Sequence, residues 1–198
     1  FLITTAQQTV NSSLAALYTA ASPVFVAIGA NLLFAEEKMT PQTGLGVALG
    51  FIGVAVLFGP DAMAGLGSAS TLAQVFLLIA TLSFAASTLI ARAAPPMEAI
   101  VFATSYASVS ALTSLPLALT VDPETVSASW INWVAVLGLG LGSSGLGQVV
   151  YMTLIARAGA TFVSLSGYSV PGISALLGWI LLGQVPTVWF WPGAALIV

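Results

Sequence analysis

The chain has 198 residues, of which 59% are hydrophobic and only 5% charged; its formal net charge is −3 and its mean hydropathy +1.08. Water-soluble domains carry about 25% charged residues to cover their surface, so this composition excludes a soluble fold and makes lipid the solvent. Cysteine and histidine are both absent, which removes thiolate and imidazole metal sites, Cys- or His-based nucleophiles and a disulfide framework.

A membrane-crossing helix needs about 20 mostly apolar residues, and the chain is a succession of such stretches. It opens at Phe1, which is not an initiator methionine, inside an apolar run over 1–9 that reads as the end of a cut span. The next span covers 12–35 and carries Tyr18 and Pro23, with Gln7, Gln8 and Asn11 just before it. Glu36, Glu37, Lys38 and Pro41 then mark a loop, followed by a span over 43–58 whose Gly46-x-x-x-Gly50 is a helix-packing face. Pro60, Asp61 and a Gly/Ser-rich run to Ser70 predict a loop over 60–70.

Span 72–93 contains Ser83 and Ser87 and ends at Arg92, before Pro95, Pro96 and Glu98. Span 99–120 contains Ser105, Tyr106 and Ser108 and ends before Asp122, Pro123 and Glu124. Trp130 and Trp133 open span 130–156 as interfacial anchors, and Arg157 and Gly159 close it. Inside it, Gly140-Leu-Gly142-Ser-Ser-Gly145 spells the dinucleotide fingerprint, but neither a preceding strand nor an acid about 20 residues on accompanies it, so close packing by small residues explains it better. Span 160–182 contains Ser164, Ser166, Tyr168 and Pro171; Gln184 and Pro186 follow, and an eighth segment opens near Thr187 with Trp189 and Trp191. The Asn11-Ser-Ser13 sequon adjoins a span and carries no glycosylation reading.

Every formal charge falls in a loop or at a helix end, as the cost of a charge at bilayer depth requires. Lys38, Arg92 and Arg157 occupy alternate loops, and Asp61, Asp122 and Glu124 the other set. The basic set is therefore expected on the cytoplasmic side. With no paired carboxylates at bilayer depth, the chain offers no catalytic or metal-ligating residues and calls for no cofactor. The polar groups within or beside spans are the candidate solute-binding positions: Gln7, Asn11, Tyr18, Ser83, Ser87, Tyr106, Ser144, Gln148, Tyr151, Ser164 and Tyr168. Serines in such helices mostly bond a local carbonyl. Gln148 and Tyr151, three residues apart, share a helix face. Such uncharged donors with aromatic walls suit a neutral or zwitterionic solute, and Pro23 and Pro171 are candidate hinges.

The stretch Leu17, Pro23, Ala27, Leu33, Glu36 repeats as Leu165, Pro171, Ala175, Leu181, Gln184 at an offset of about 148 residues. After a one-residue deletion, Thr40 and Gly46 match Thr187 and Gly193. The copies lie five spans apart, so they have opposite topology, an inverted repeat.

At these residues the chain resembles the drug/metabolite transporter superfamily, in particular EamA-type carriers of ten helices. Their half-repeat is a small-residue helix with a proline, a leucine-rich stretch ending in Gly-Glu, then a Gly-rich helix. Here that reads as Ala20 to Glu36 with Gly46, Leu49 and Gly53, and again as Gly167 to Gln184 with Gly193 and Leu196. In the second copy Gln184 stands where the family usually has glutamate. The resemblance implies an all-α, polytopic transmembrane bundle with about seven to eight of ten helices present. Residues 1–59 are then the end of the first repeat and 71–198 the second, with about 75 residues preceding Phe1 and roughly ten or more following Val198.

It further implies a multi-pass protein of a bacterial inner membrane. The expected function is an alternating-access carrier, monomeric or homodimeric, for small neutral or zwitterionic metabolites such as amino acids, working as an exporter. Its partners are the solute and the bilayer, with no nucleic acid. A non-transporting membrane scaffold or a channel-like protein is the alternative reading.

Overall fold

Long apolar runs with no water to satisfy their backbone must close their hydrogen bonds internally, and the chain does so as helices. The computed structural model describes residues 1–95, 97–119, 129–183 and 185–197. Asp122, Pro123, Glu124 and Gln184, with the end of the expected span at Thr120, lie outside them.

The helices run α1 (Leu2–Ala6), α2 (Ser12–Thr19), α3 (Ser22–Leu33), α4 (Pro41–Ser68), α5 (Thr71–Ala93), α6 (Ala99–Ala118) and α7 (Trp130–Gly138). A π-helical stretch, Leu139–Leu146, follows, then α8 (Gly147–Ala158), α9 (Ala160–Ser166), α10 (Ser169–Leu182) and α11 (Phe190–Ile197). Among the described residues six stretches are long and apolar enough to cross a membrane: Ser12–Leu33, Pro41–Pro60, Thr71–Ala93, Ala99–Pro116, Trp130–Ala158 and Ala160–Leu181. These agree with the expected spans to within a few residues at each end. Large apolar side chains stay exposed along them, such as Leu32, Phe84, Ile90 and Leu112. A surface facing lipid has this character.

One expected loop is helical instead. Residues 60–68 continue α4, because Gly59 alone takes the break, with φ 58° and ψ −149°. That conformation is strained for any residue with a Cβ. The helix then restarts at Pro60, where a missing N–H is not needed.

The described chain forms two compact units, Phe1–Ala93 with Ala158–Val198, and Ala94–Arg157. In the first, α4 packs most extensively on α11, and the two run antiparallel. A Cβ built on Gly193 would lie 2.6 Å from the Leu57 backbone nitrogen, and one on Gly53 3.0 Å from the Gly193 carbonyl. Small residues at this crossing let the backbones meet, which is how helices gain contact energy in lipid. Helix α3 packs on α5 and α9, and α2 on α4 and α5. Two buried clusters result: Ala6, Leu14, Ala15, Ala73 and Leu77; and Val26, Ala85 and Ala160.

In the second unit the π stretch packs against α6 and continues α7. The fingerprint-like glycines lie within this helix, so their backbone N–H groups are committed to helical bonding rather than held in a phosphate loop. The space beside Gly138, Gly140 and Gly142 is open among the described residues.

Candidate functional site

The spans that carry Pro23 and Pro171 are each interrupted just before that proline, whereas α6 runs through Pro116. Helix α2 ends at Thr19, Ala20 and Ala21 form a turn, and α3 starts at Ser22 with Pro23 in its first turn. Helix α9 ends at Ser166, Gly167 and Tyr168 form the turn, and α10 starts at Ser169 with Pro171 in its first turn. The cause is the same in both: the ring removes a donor and excludes the preceding turn.

The first break is stitched to α5. The Thr81 hydroxyl lies 3.0 Å from the Tyr18 carbonyl and 2.8 Å from that of Leu77, so its one proton is shared between them. The Tyr18 hydroxyl donates to Gln74 Oε1 at 3.0 Å, and Gln74 Nε2 donates to the Leu66 and Ala69 carbonyls, each at 3.2 Å. The bonds of the second break among the described residues are local, Gly167 N–H to Ser164 O and Tyr168 N–H to Leu165 O, both 3.0 Å. Tyr168 is 3% exposed, and its hydroxyl has no hydrogen-bond partner among the described residues. Its ring covers Gly50 so closely that any Cβ there would enter it.

At one end of the first unit the loop between α3 and α4 meets α5 and α9. Gly159, with φ 87°, turns the chain into α9; a Cβ on it would lie 2.6 Å from Glu37 Oε1, so glycine here frees both the backbone and the space for that carboxylate. Glu37 Oε1 accepts from the Ala160 N–H at 3.1 Å and from Arg92 Nε at 2.7 Å, while Oε2 accepts from the Thr161 N–H at 3.0 Å. Burial pushes the Glu37 carboxyl up, and the Thr161 N–H, the Arg92 guanidinium and the Ala160 N–H together outweigh it, holding the group below the usual glutamate range. Hydrogen bonds to charged groups contribute about 1.5–3 kcal/mol each where water is excluded. Arg92 also reaches Glu36 at 3.3 Å, a pair worth little because Glu36 is exposed, and lies 5.8 Å over the Phe34 ring.

The same loop is tied to α3 by Lys38 Nζ donating to the Asn31 carbonyl and by the Met39 N–H donating to Asn31 Oδ1, both at 2.8 Å. Beside it is a cleft of about 220 Å³ whose lining includes Ala27, Glu37, Lys38, Thr43, Phe162 and Leu165.

The sequence-derived candidates distribute over both units. Asn11 caps α2, its Oδ1 accepting from the Leu14 N–H at 2.8 Å. Gln7 is exposed at the end of α1. Ser83 donates to the Ile79 carbonyl and Ser164 to that of Thr161, the local bonding usual for serine; Ser87 is exposed. Tyr106, Ser144, Gln148 and Tyr151 belong to the unit Ala94–Arg157, with Gln148 and Tyr151 half-buried on α8. Lys38 and Arg92 lie on the loop and helix end described above, while Arg157 is the last residue of the other unit. The sequence did not single out Gln74 or Thr81, and it marked Gly50 as a packing position and Glu37 as a loop charge without their partners. A glutamine near the start of span 72–93 was a signal for the first; the partners of the others come together only in the fold.

One solved crystal structure is similar over 100% of this chain and 68% of its own, with a TM-score of 0.78 and 21% sequence identity, a likeness of fold. No curated protein matches the chain. The family model described as the EamA-like transporter family matches residues 1–59 and 71–198. With its apolar spans, its paired proline breaks and that match over nearly its whole length, the chain is a multi-pass membrane protein and belongs to the EamA-like transporter family.

Proposed function

We propose that the chain is part of an alternating-access carrier that exports a small neutral or zwitterionic metabolite, such as an amino acid, across a bacterial inner membrane. Residues 1–59 and 71–198 act as inverted halves, and Pro23 and Pro171 mark the places where spans bend. Lys38, Arg92 and Arg157 face the cytoplasm. The solute pathway draws on Gln7, Asn11, Tyr18, Ser83, Ser87, Tyr106, Ser144, Gln148, Tyr151, Ser164 and Tyr168. No cofactor enters; the partners are the solute and the lipid, and the protein works as a monomer or homodimer.

The observation that carries this reading is the pair of spans broken just ahead of their prolines, at Ala20–Ala21 and Gly167–Tyr168. Interrupted helices at corresponding places in two halves are the form in which transporters build a site from backbone and uncharged side chains. The test is flux in proteoliposomes holding the full-length protein, with a panel of amino acids and other small metabolites. Saturable, gradient-driven movement of a neutral or zwitterionic solute is expected. Non-saturating flux would favour a channel, and no movement of any solute under any gradient would leave the scaffold reading.

A further inference from the structure

Helix α9 is a seven-residue segment bounded by Gly159, with φ 87°, at its start and by the Gly167–Tyr168 turn at its end. We propose that Glu37 is a latch that holds α9 shut against the loop between α3 and α4, and that its release opens the cleft beside that loop. The proposal deepens the carrier reading and rests on it for the role of the cleft as part of the solute route.

The geometry of the latch is economical. A single oxygen, Glu37 Oε1, serves both Arg92 Nε at 2.7 Å and the Ala160 N–H at 3.1 Å. One tie from the loop to α5 and one to α9 therefore share an atom, and withdrawing that carboxylate, whose Oε2 also accepts from the Thr161 N–H, weakens both at once. What remains on the loop among the described residues are the bonds of Lys38 and Met39 to Asn31, which bind it to α3, and the exposed Glu36–Arg92 pair at 3.3 Å, which reaches α5; neither reaches α9. Released from Glu37, the loop stays with α3, and α9 keeps its apolar packing on α3 and α5, with Ala160 against Val26 and Ala85, but loses its polar tie to the loop. The cleft is built from both sides of that parting: Lys38 and Thr43 on the loop side, Phe162 and Leu165 on α9. The sequence itself makes α9 separable, because glycines stand at Gly159 and Gly167 and the proline at Pro171 prevents the helix from running through.

These 198 residues contain no cysteine, so in the full-length protein in detergent, with any cysteine outside them replaced by serine, Leu165→Cys serves as a reporter in the cleft. Its rate of modification by a charged maleimide is compared in three backgrounds, with Ser68→Cys as a reference outside the cleft. Glu37→Gln is expected to raise the Leu165→Cys rate at least fivefold. Arg92→Gln, which leaves both N–H bonds in place, should raise it by less, about twofold, and the reference should not change. Equal Leu165→Cys rates in all backgrounds overturn the latch, as does a parallel rise at Ser68→Cys, which would mean general loosening. Should Glu37→Gln not fold, Arg92→Gln decides the matter by the same readings. Proteoliposome flux separates this from the carrier reading: a rise in accessibility without solute movement keeps the latch and removes the carrier, and movement with unchanged accessibility does the reverse.

Discussion

The two broken spans differ in how their breaks are held. In Ser12–Leu33 the interruption is saturated: Thr81 and Gln74 on α5 take the Tyr18 carbonyl and hydroxyl, and Asn11 caps the helix from within its own turn. In Ala160–Leu181, among the described residues, the interruption has no such partners and its buried Tyr168 hydroxyl is unpaired, while the start of α9 is capped from 123 residues away by Glu37. A buried polar group with its bonds made stiffens its surroundings, whereas one without them is an open valence in a low-dielectric medium. The same sequence event, a proline ahead of which a span is interrupted, thus produces one break bonded to a neighbouring helix and one whose bonds are local among the described residues.

The strongest way to break this contrast is to disturb the seat of Tyr168. Gly50→Val forces that ring out of place, and overpacking of this kind costs about 1–3 kcal/mol. Gly46→Val, one turn earlier on α4 with nothing within 4 Å of its Cβ, should stay within about 0.5 kcal/mol of the parent. Thermal unfolding of the purified full-length variants in detergent measures both. Equal losses would mean that α4 is intolerant throughout and that Tyr168 has no special seat.

A finer probe removes one oxygen from each break. Tyr18→Phe deletes the bond to Gln74 and should destabilise by about 1 kcal/mol. Tyr168→Phe deletes a hydroxyl that bonds nothing among the described residues, so stability should hold within about 0.5 kcal/mol or rise. If that hydroxyl meets the solute, affinity falls about tenfold, the equivalent of roughly 1.4 kcal/mol. Unfolding and solute binding on the same two preparations decide it. A Tyr168→Phe loss of stability as large as that of Tyr18→Phe would erase the difference between the breaks.

The spans were legible because lipid thickness sets the length of an apolar run, and the breaks were legible because Pro23 and Pro171 remove donors wherever they stand. The helix over 60–68 was not, since Pro60 and the glycines around it read as a loop until Gly59 is seen to absorb the whole turn. Tyr18 and Tyr168 look alike in the sequence, each just ahead of a proline. What separates them is Gln74, 56 residues from Tyr18 and on another helix. Glu37 was hidden for the same reason. Its partners lie 55 and 123 residues away, and a Glu-Glu-Lys loop reads as solvated charge until the chain is folded.

The smallest expected effect separates the two caps by pH. The Asn11 side chain that caps α2 does not titrate, so that helix start is indifferent to acid. The Glu37 carboxyl is depressed in the folded protein, so its contribution is fully present above the unfolded-state value, about 4.3, and is lost as pH falls through the lower folded value. Solvent screening at the loop limits it to about 0.5–1 kcal/mol. The difference in unfolding temperature between the parent and Glu37→Gln should therefore be constant from pH 7 to about pH 5 and shrink below that. Amide exchange localises the change: Ala160 and Thr161 should lose protection as the pH falls while Leu14 keeps it, after correction for intrinsic rates. Protection that declines equally at both helix starts would show that the Glu37 contacts do not hold α9.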